Sequence, residues 1–145
     1  MSEQIYVGAD HAGFDLKQKL VAELKKLGYE PIDVGPKTLD PSDDYPDYAK
    51  PVAEAVSRGA VRRGVLTCGT GLGMAYAANR YPKVRAAVAW SPEIAELAKT
   101  HNDANVLVLP SRFVSEREGL EILRRWLAAE FEGGRHQRRV EKIEQ

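Results

Sequence analysis

The sequence predicts an α/β fold with a parallel sheet and helices on both faces. Short apolar runs alternate with amphipathic stretches along the 145 residues, and glycine and proline separate them. This alternation is typical of βαβ units, in which a crossover helix connects two parallel strands. We expect a single domain over residues 1–145, built as a Rossmann-like three-layer sandwich around a five-stranded sheet.

Five short segments have the length and composition of strands. Each is bounded by glycine, proline or polar residues. They are Gln4–Gly8, Pro31–Val34, Gly64–Cys68, Arg85–Trp90 and Val106–Leu109. After the second run, residues 35–46 are rich in proline and aspartate, which predicts a long surface loop.

The stretches between these runs carry helical signals. Leucines recur at helical spacing up to Leu27, and Gly28 then provides a stop. Ser91 is a capping residue, and Pro92 suits the first helical position. The predicted helices are Phe14–Leu27, Tyr48–Ser57, Met74–Asn79, a helix opened by Ser91, Glu116–Phe131 and a short basic helix from Arg135.

Composition excludes several classes of function. The 21 basic and 21 acidic side chains cancel, so no overall charge attracts nucleic acid or a membrane surface. The single cysteine cannot form an internal disulfide, and with three scattered histidines it shows no zinc-binding spacing. The first residues show no basic segment followed by an apolar one, and no run of 18 apolar residues occurs, so we expect neither a secretory leader nor a membrane span. We expect a cytoplasmic protein without a metal.

The segment that follows the third predicted strand is the strongest candidate site. Cys68 ends the strand, and Gly69, Gly71 and Gly73 follow it. In parallel sheets ligands bind beyond the carboxyl ends of the strands. A lone cysteine is usually an inert core residue. At a helix N-terminus, however, we expect partial positive charge to lower the pKa of Cys68 and make it a base or a nucleophile.

The glycines are read in two ways. They are tight-turn residues, or together with Thr70 they expose backbone N–H groups that converge on an anion or a developing oxyanion. Their spacing is G-x-G-x-G, whereas the dinucleotide fingerprint is G-x-G-x-x-G, so a nicotinamide cofactor is not favoured.

Other polar residues have a structural and a functional interpretation. Asp10 and His11 follow the first strand and are expected in the same crevice as Cys68, although Asp10 also suits a helix cap. His101 is either a partner of a helix dipole or an acid/base group. Arg135 and Arg139 are i,i+4 neighbours that suit a phosphate, or they belong to a solvated basic end.

Several motifs together resemble the B-type ribose-5-phosphate isomerase family, which also contains the galactose-6-phosphate isomerase subunits. The matching segments are residues 8–14, 44–46, 68–73, 77–79, 101–107 and 132–139, in order along practically the whole chain. The resemblance implies a Rossmann-like domain that forms a homodimer or a dimer of dimers and uses no metal or nucleotide. It implies interconversion of ribose 5-phosphate and ribulose 5-phosphate through a cis-enediol.

The resemblance also implies a role for each candidate residue. Cys68 would be the base, because Met74 stands where some relatives have a glutamate base. His101 would open the sugar ring, while Asp10 and Asn102 hold hydroxyl groups. The anion hole would consist of Gly69, Thr70, Gly71 and Gly73. The phosphate would contact His11, Arg112, Arg135 and Arg139, the last two from the partner subunit through a helix at about 135–143.

Three alternatives stay open at this point. The first is an isomerase of allose 6-, galactose 6- or tetrose 4-phosphate, since such relatives keep most of the catalytic motifs. The second is a phosphate- or nucleotide-binding module without chemistry. The third is a thiol enzyme in which Cys68 is a covalent nucleophile.

Overall fold

Five strands form one parallel sheet in a computed structural model that describes residues 2–144. The strands are β1 (Gln4–Ala9), β2 (Glu30–Asp33), β3 (Arg63–Cys68), β4 (Ala86–Val88) and β5 (Val106–Pro110). Their order in the sheet is β2-β1-β3-β5-β4, and every neighbouring pair is parallel. Val7 lies opposite Val65, and Leu66 lies opposite Val108.

Within residues 2–144, six α-helices and one turn of 3-10 helix lie between the strands or follow the last of them. The helices are α1 (Phe14–Lys26), α2 (Pro46–Ser57), α3 (Leu72–Ala78), α4 (Pro92–Asn102), α5 (Glu116–Ala128) and α6 (Arg135–Ile143), and the 3-10 turn is His11–Gly13. As predicted, Ser91 caps α4: its side chain accepts a hydrogen bond from the Ile94 N–H, and Pro92 follows. No helix within residues 2–144 has the length and apolar character needed to cross a membrane.

The helices cover both faces of the sheet, so the prediction of a Rossmann-like α/β fold is confirmed. Residues of α2 and α3, such as Val52 and Met74, pack with Leu66 in one buried cluster. Residues of α1 and α5, such as Leu20 and Trp126, pack with strand residues in another. The α4 helix packs beside α5 on this second face, and α6 packs on α4.

Some element boundaries differ from the predictions. The helix predicted to reach Phe131 ends at Ala128, because the backbone of Ala129 is extended. The chain then crosses the end of α4, where the Glu132 N–H donates to the Thr100 carbonyl. The fourth strand has three residues instead of six, and α2 begins at Pro46, earlier than predicted.

Candidate active site

The candidate site lies where β1 and β3 end side by side. The crossover after β1 leads to β2 on one side, whereas later strands lie on the other, so this is the point where the strand order reverses. Gly13 packs so close to β3 that a Cβ atom there would lie 2.5 Å from the Thr67 carbonyl oxygen. The cavity at this point measures about 220 Å³. Its lining residues are Asp10, His11, Ala12, Tyr45, Cys68, Gly69, Thr70, Gly73 and Arg112.

Cys68 is 4% exposed and is surrounded by backbone N–H groups. Burial raises the pKa of its thiol, and the Asp10 carboxylate adds to this effect. The backbone N–H groups of Met74, Gly71 and Thr70 lie near the sulfur and lower its pKa, which opposes the effect of burial. The expectation of a lowered pKa was therefore wrong, because the loss of hydration outweighs the amides at the helix N-terminus.

The loop after Cys68 is a tight turn that leads into α3. Gly71 has a φ of 78° and is the residue that precedes α3, a conformation that favours glycine. The Thr70 hydroxyl accepts a hydrogen bond of 3.2 Å from the Leu72 N–H. Gly71 does not line the cavity, and a Cβ atom there would meet Val88 and Val108 instead.

Asp10 and His11 line the cavity with Cys68, where they were expected. The Asp10 carboxylate also caps the 3-10 turn, since Oδ1 accepts from the N–H groups of Ala12 (2.9 Å) and Gly13 (3.2 Å). Asp10 is therefore both a cap of the 3-10 turn and a residue of the cavity. His11 has a buried neighbour that the sequence did not indicate: its Nδ1 lies 2.8 Å from Oδ1 of Asp43.

Arg112 follows β5 and lies over the glycine loop. Its N–H donates to the Gly69 carbonyl (3.0 Å), and its guanidinium Nη1 would lie 3.0 Å from a Cβ atom on Gly69. Tyr45 closes another side, with its ring packed against Gly73. Tyr45 was missing from the candidate residues, although it stands in the Asp44-Tyr45-Pro46 motif. Asp43 was also missing, because an aspartate in a predicted loop has no feature that indicates a site residue.

A second group of predicted site residues lies away from this cavity. Its members are His101, Asn102, Arg135 and Arg139. The α4 helix starts after the carboxyl end of β4 and runs back, so its last residues lie at the amino ends of the strands. The prediction that Asp10, Cys68 and His101 share one crevice was therefore wrong within a single chain.

His101 instead faces α6. Its ring stacks on the ring of His136, with centroids 4.3 Å apart and planes inclined by 12°. Oε1 of Glu132 lies 3.5 Å from Nε2 of His136. Burial lowers the pKa of His136, and so do the nearby His101, Arg135 and Arg139. This end of the molecule is therefore a cluster of cationic and imidazole groups.

A larger hollow of about 840 Å³ lies at the amino ends of β1 and β2. Residues such as Glu3, Lys25 and Arg62 line it, and its lining includes neither a thiol nor an imidazole. Its size alone does not make it a site for acid/base chemistry, so the smaller cavity at Cys68 is the better candidate.

Comparison with known proteins decides the family. Residues 5–143 match the family model described as ribose/galactose isomerase. The chain belongs to the ribose/galactose isomerase family. A curated member of this family, ribose-5-phosphate isomerase B of Escherichia coli, is 47% identical over 97% of this chain and 94% of its own length.

Solved structures of ribose/galactose isomerases match equally well. The ribose 5-phosphate isomerase of Thermotoga maritima superposes with a TM-score of 0.95 at 44% identity, covering 99% of both chains. Ribose-5-phosphate isomerase B from Mycoplasma genitalium, solved with bound ribulose-5-phosphate, gives a TM-score of 0.96 at 45% identity. That match covers 99% of this chain and 95% of the Mycoplasma chain. The resemblance seen in the sequence motifs is thereby confirmed at the level of the family.

Proposed function

We propose that this chain interconverts ribose 5-phosphate and ribulose 5-phosphate as an intramolecular oxidoreductase. The observation that carries the proposal is the buried thiol of Cys68 at the end of β3, in one cavity with Asp10, His11 and the guanidinium of Arg112. The Mycoplasma genitalium relative with bound ribulose-5-phosphate supports this substrate. The reaction belongs to the pentose phosphate pathway of the cytoplasm, and we expect it to need no metal or nucleotide.

Cys68 is the base of the proposed mechanism. Its thiolate takes the proton from C2 of the open-chain aldose, and the electrons of the C–H bond form a C1–C2 double bond with negative charge on O1. O1 then gains a proton and O2 loses one. The thiol returns its proton to C1, which leaves the ketone at C2. A raised pKa suits this step, because a more basic thiolate removes a weakly acidic C–H proton more readily.

The glycine loop is proposed to stabilise the charge that develops on the enediolate. Thr70 and Gly69 line the cavity beside the sulfur, and Gly73 lies under Tyr45. The backbone amides near the sulfur stabilise the thiolate before the proton is taken, and this stabilisation is lost once the thiol has formed. One well-aimed donor to an oxyanion contributes about 2.7–4 kcal/mol.

The remaining parts of the site are proposed to come from a second copy of the chain. The cavity of about 220 Å³ is smaller than the ~300–1,000 Å³ typical of sites for small molecules, and Arg112 is the one arginine in its lining. His101 and Asn102 lie at the same end of the molecule as α6, which carries Arg135 and Arg139. A partner that brings α6 to the cavity would bring all four residues.

Exposed apolar side chains around the cavity support this dimer. Leu72 and Tyr76 lie on one side of α3, and both are largely exposed. Trp90 and Phe113 follow the carboxyl ends of β4 and β5 and are also exposed. Because β3, β5 and β4 are neighbours, all four residues lie at the cavity end of the sheet, where a second copy would cover them.

In the complete site, His101 of one chain would open the furanose ring bound beside Cys68 of the other. Asp10 and Asn102 would hold sugar hydroxyls from the two sides. His11 and Arg112 of one chain, with Arg135 and Arg139 of the other, would bind the phosphate. Arginine pairs suit this task because each guanidinium donates two parallel hydrogen bonds to phosphate oxygens.

The test is isomerisation of ribose, allose, galactose and erythrose phosphates by the purified protein, with exchange at C2 followed in D₂O. We expect ribose 5-phosphate to be the preferred substrate, with deuterium incorporated during turnover. Cys68→Ala and Cys68→Ser should both lose about 10²–10⁴-fold in kcat, because a serine hydroxyl is a far weaker acid and cannot replace the thiol as base. A Cys68→Ala enzyme that exchanges C2 at the wild-type rate would contradict this mechanism.

A further inference from the structure

Asp43 is buried against His11 although the two residues are far apart in the sequence. It lies in the segment between β2 and α2, and its side chain is 5% exposed. Its Oδ1 accepts a hydrogen bond of 3.0 Å from the backbone N–H of His11 and lies 2.8 Å from Nδ1 of the same residue. One carboxylate oxygen thus contacts both the backbone and the ring of a residue in the cavity.

This contact determines which ring nitrogen of His11 is available to a ligand. A carboxylate oxygen only accepts hydrogen bonds, so Nδ1 carries the hydrogen that it shares with Asp43. Nε2 is then the ring atom left for the cavity, whether the ring is neutral or protonated. Because the His11 side chain is 33% exposed, it would otherwise be free to rotate and to exchange tautomers.

The other oxygen of Asp43 is evidence that this arrangement costs stability. Oδ2 is buried and makes no well-formed hydrogen bond within residues 2–144, although the Tyr48 hydroxyl lies near the same carboxylate. A buried acceptor without a donor is unfavourable, and in native proteins such groups are concentrated where a function requires them. The loop that carries Asp43 is fixed at its start, because the buried Lys17 ammonium donates to Asp33 and to the Pro36 carbonyl.

We propose that Asp43 is a positioning residue, which holds His11 in the Nδ1–H tautomer with Nε2 directed to the phosphate of the substrate. The inference rests on the proposed function for the identity of the ligand, whereas the tautomer itself is independent of it. Asp43 touches no reacting atom. Its effect is on the geometry of His11 and therefore on the binding of the substrate.

A divalent cation is the competing explanation for the same residues. Ligand atoms of Asp10, His11 and Asp43 lie within 4.8 Å of one another. However, Oδ1 of Asp10 already accepts two backbone N–H groups, and Nδ1 of His11 faces Asp43. A cation would have to replace these hydrogen bonds, so the structure favours the positioning role.

The experiment compares Asp43→Ala with Asp43→Asn, with Asp47→Asn as the control. Asp47 is an exposed aspartate on the first turn of α2, close in sequence to Asp43. The asparagine oxygen can still accept from the His11 N–H and Nδ1–H, whereas alanine cannot. The ring ¹⁵N signals report the tautomer in the free protein, and His11→Gln identifies the signals of His11 among those of the three histidines.

We expect Asp43→Ala to give mixed His11 tautomers and a KM for ribose 5-phosphate raised about tenfold, with kcat changed far less. Asp43→Asn should keep the tautomer and most of the wild-type KM, and Asp47→Asn should change neither. An unchanged tautomer in Asp43→Ala would overturn the inference even if the enzyme isomerises another sugar. An Asp43→Asn enzyme as impaired as Asp43→Ala would also overturn it, and so would loss of activity on EDTA treatment.

Discussion

Mixing two inactive variants tests whether the active site is shared between subunits. The first variant, Cys68→Ala, lacks the base at the carboxyl end of the sheet. The second, Arg135→Ala with Arg139→Ala, lacks the arginines of α6 at the other end of the molecule. If each site combines the two ends from two chains, a mixed dimer has one intact site and one site with both defects.

The expected recovery follows from this geometry. Random exchange of equal amounts makes about half of the dimers mixed, and each has one intact site of two, so about a quarter of the wild-type activity should return. Each lost charged hydrogen bond costs about 1.5–3 kcal/mol, or roughly 10- to 150-fold in binding. The arginine variant alone should therefore have below about 1% of the wild-type activity at limiting substrate, and Cys68→Ala alone should be similarly low.

The assay is ribulose 5-phosphate formation after the two variants have been mixed, with subunit exchange followed by native mass spectrometry. Cys68→Ala mixed with wild type is a useful control, because its total number of intact sites is the same with or without exchange. Arg138→Ala, an exposed arginine on the same helix, controls for the loss of charge. Activity that stays at the level of the separate variants, although mixed dimers are present, would refute the shared site.

Three further predictions concern the thiol, a buried ion pair and a close contact. Because burial raises the pKa of Cys68, the thiolate fraction should keep growing with pH through and beyond the ordinary titration range of a cysteine. The rate of alkylation by iodoacetamide measures this fraction, and a rate that levels off near neutral pH would contradict the prediction. Asp33→Ala removes the carboxylate that pairs with the fully buried Lys17 ammonium. It should lower the free energy of unfolding, measured in urea, by about 3 kcal/mol. A loss below about 1 kcal/mol would contradict an important role for this ion pair in stability. Gly13→Ala places a Cβ atom against the Thr67 carbonyl and should lower the free energy of unfolding by about 1–3 kcal/mol, measured by thermal denaturation. An unchanged melting temperature would show that the backbone of the turn can shift to accommodate the Cβ atom.

The fold could be predicted because its signals are local. The strands β3 and β5 are short apolar runs, and the Ser91-Pro92 pair marks the start of α4 by the same cap that the structure shows. The end of α5 could not be predicted in this way. The helical spacing continues past Ala128, whereas the chain leaves the helix there and its Glu132 N–H donates to the Thr100 carbonyl of α4, a contact that is remote in sequence.

Only the part of the site at the carboxyl ends of the strands could be predicted from the sequence. Cys68 ends a strand, and Asp10 and Arg112 each follow one, so the parallel topology alone brings them to the same end of the sheet. His101 lies at the end of a helix that runs antiparallel to the strands, so the same topology takes it to the amino ends of the strands. Asp43 was not predictable at all, because its contact with His11 depends on the path of an irregular loop.

The surroundings of Cys68 follow from two opposing requirements of proton abstraction. A base that removes a C–H proton must be strong, which burial provides by destabilising the thiolate relative to the thiol. The same base must be deprotonated often enough to start the reaction, and the amides of Thr70, Gly71 and Met74 limit the cost of forming the thiolate. Because these donors are backbone groups fixed by the glycine loop, they need no rearrangement when the thiolate forms. A loop that only bound phosphate would have no reason to aim its N–H groups at a thiol.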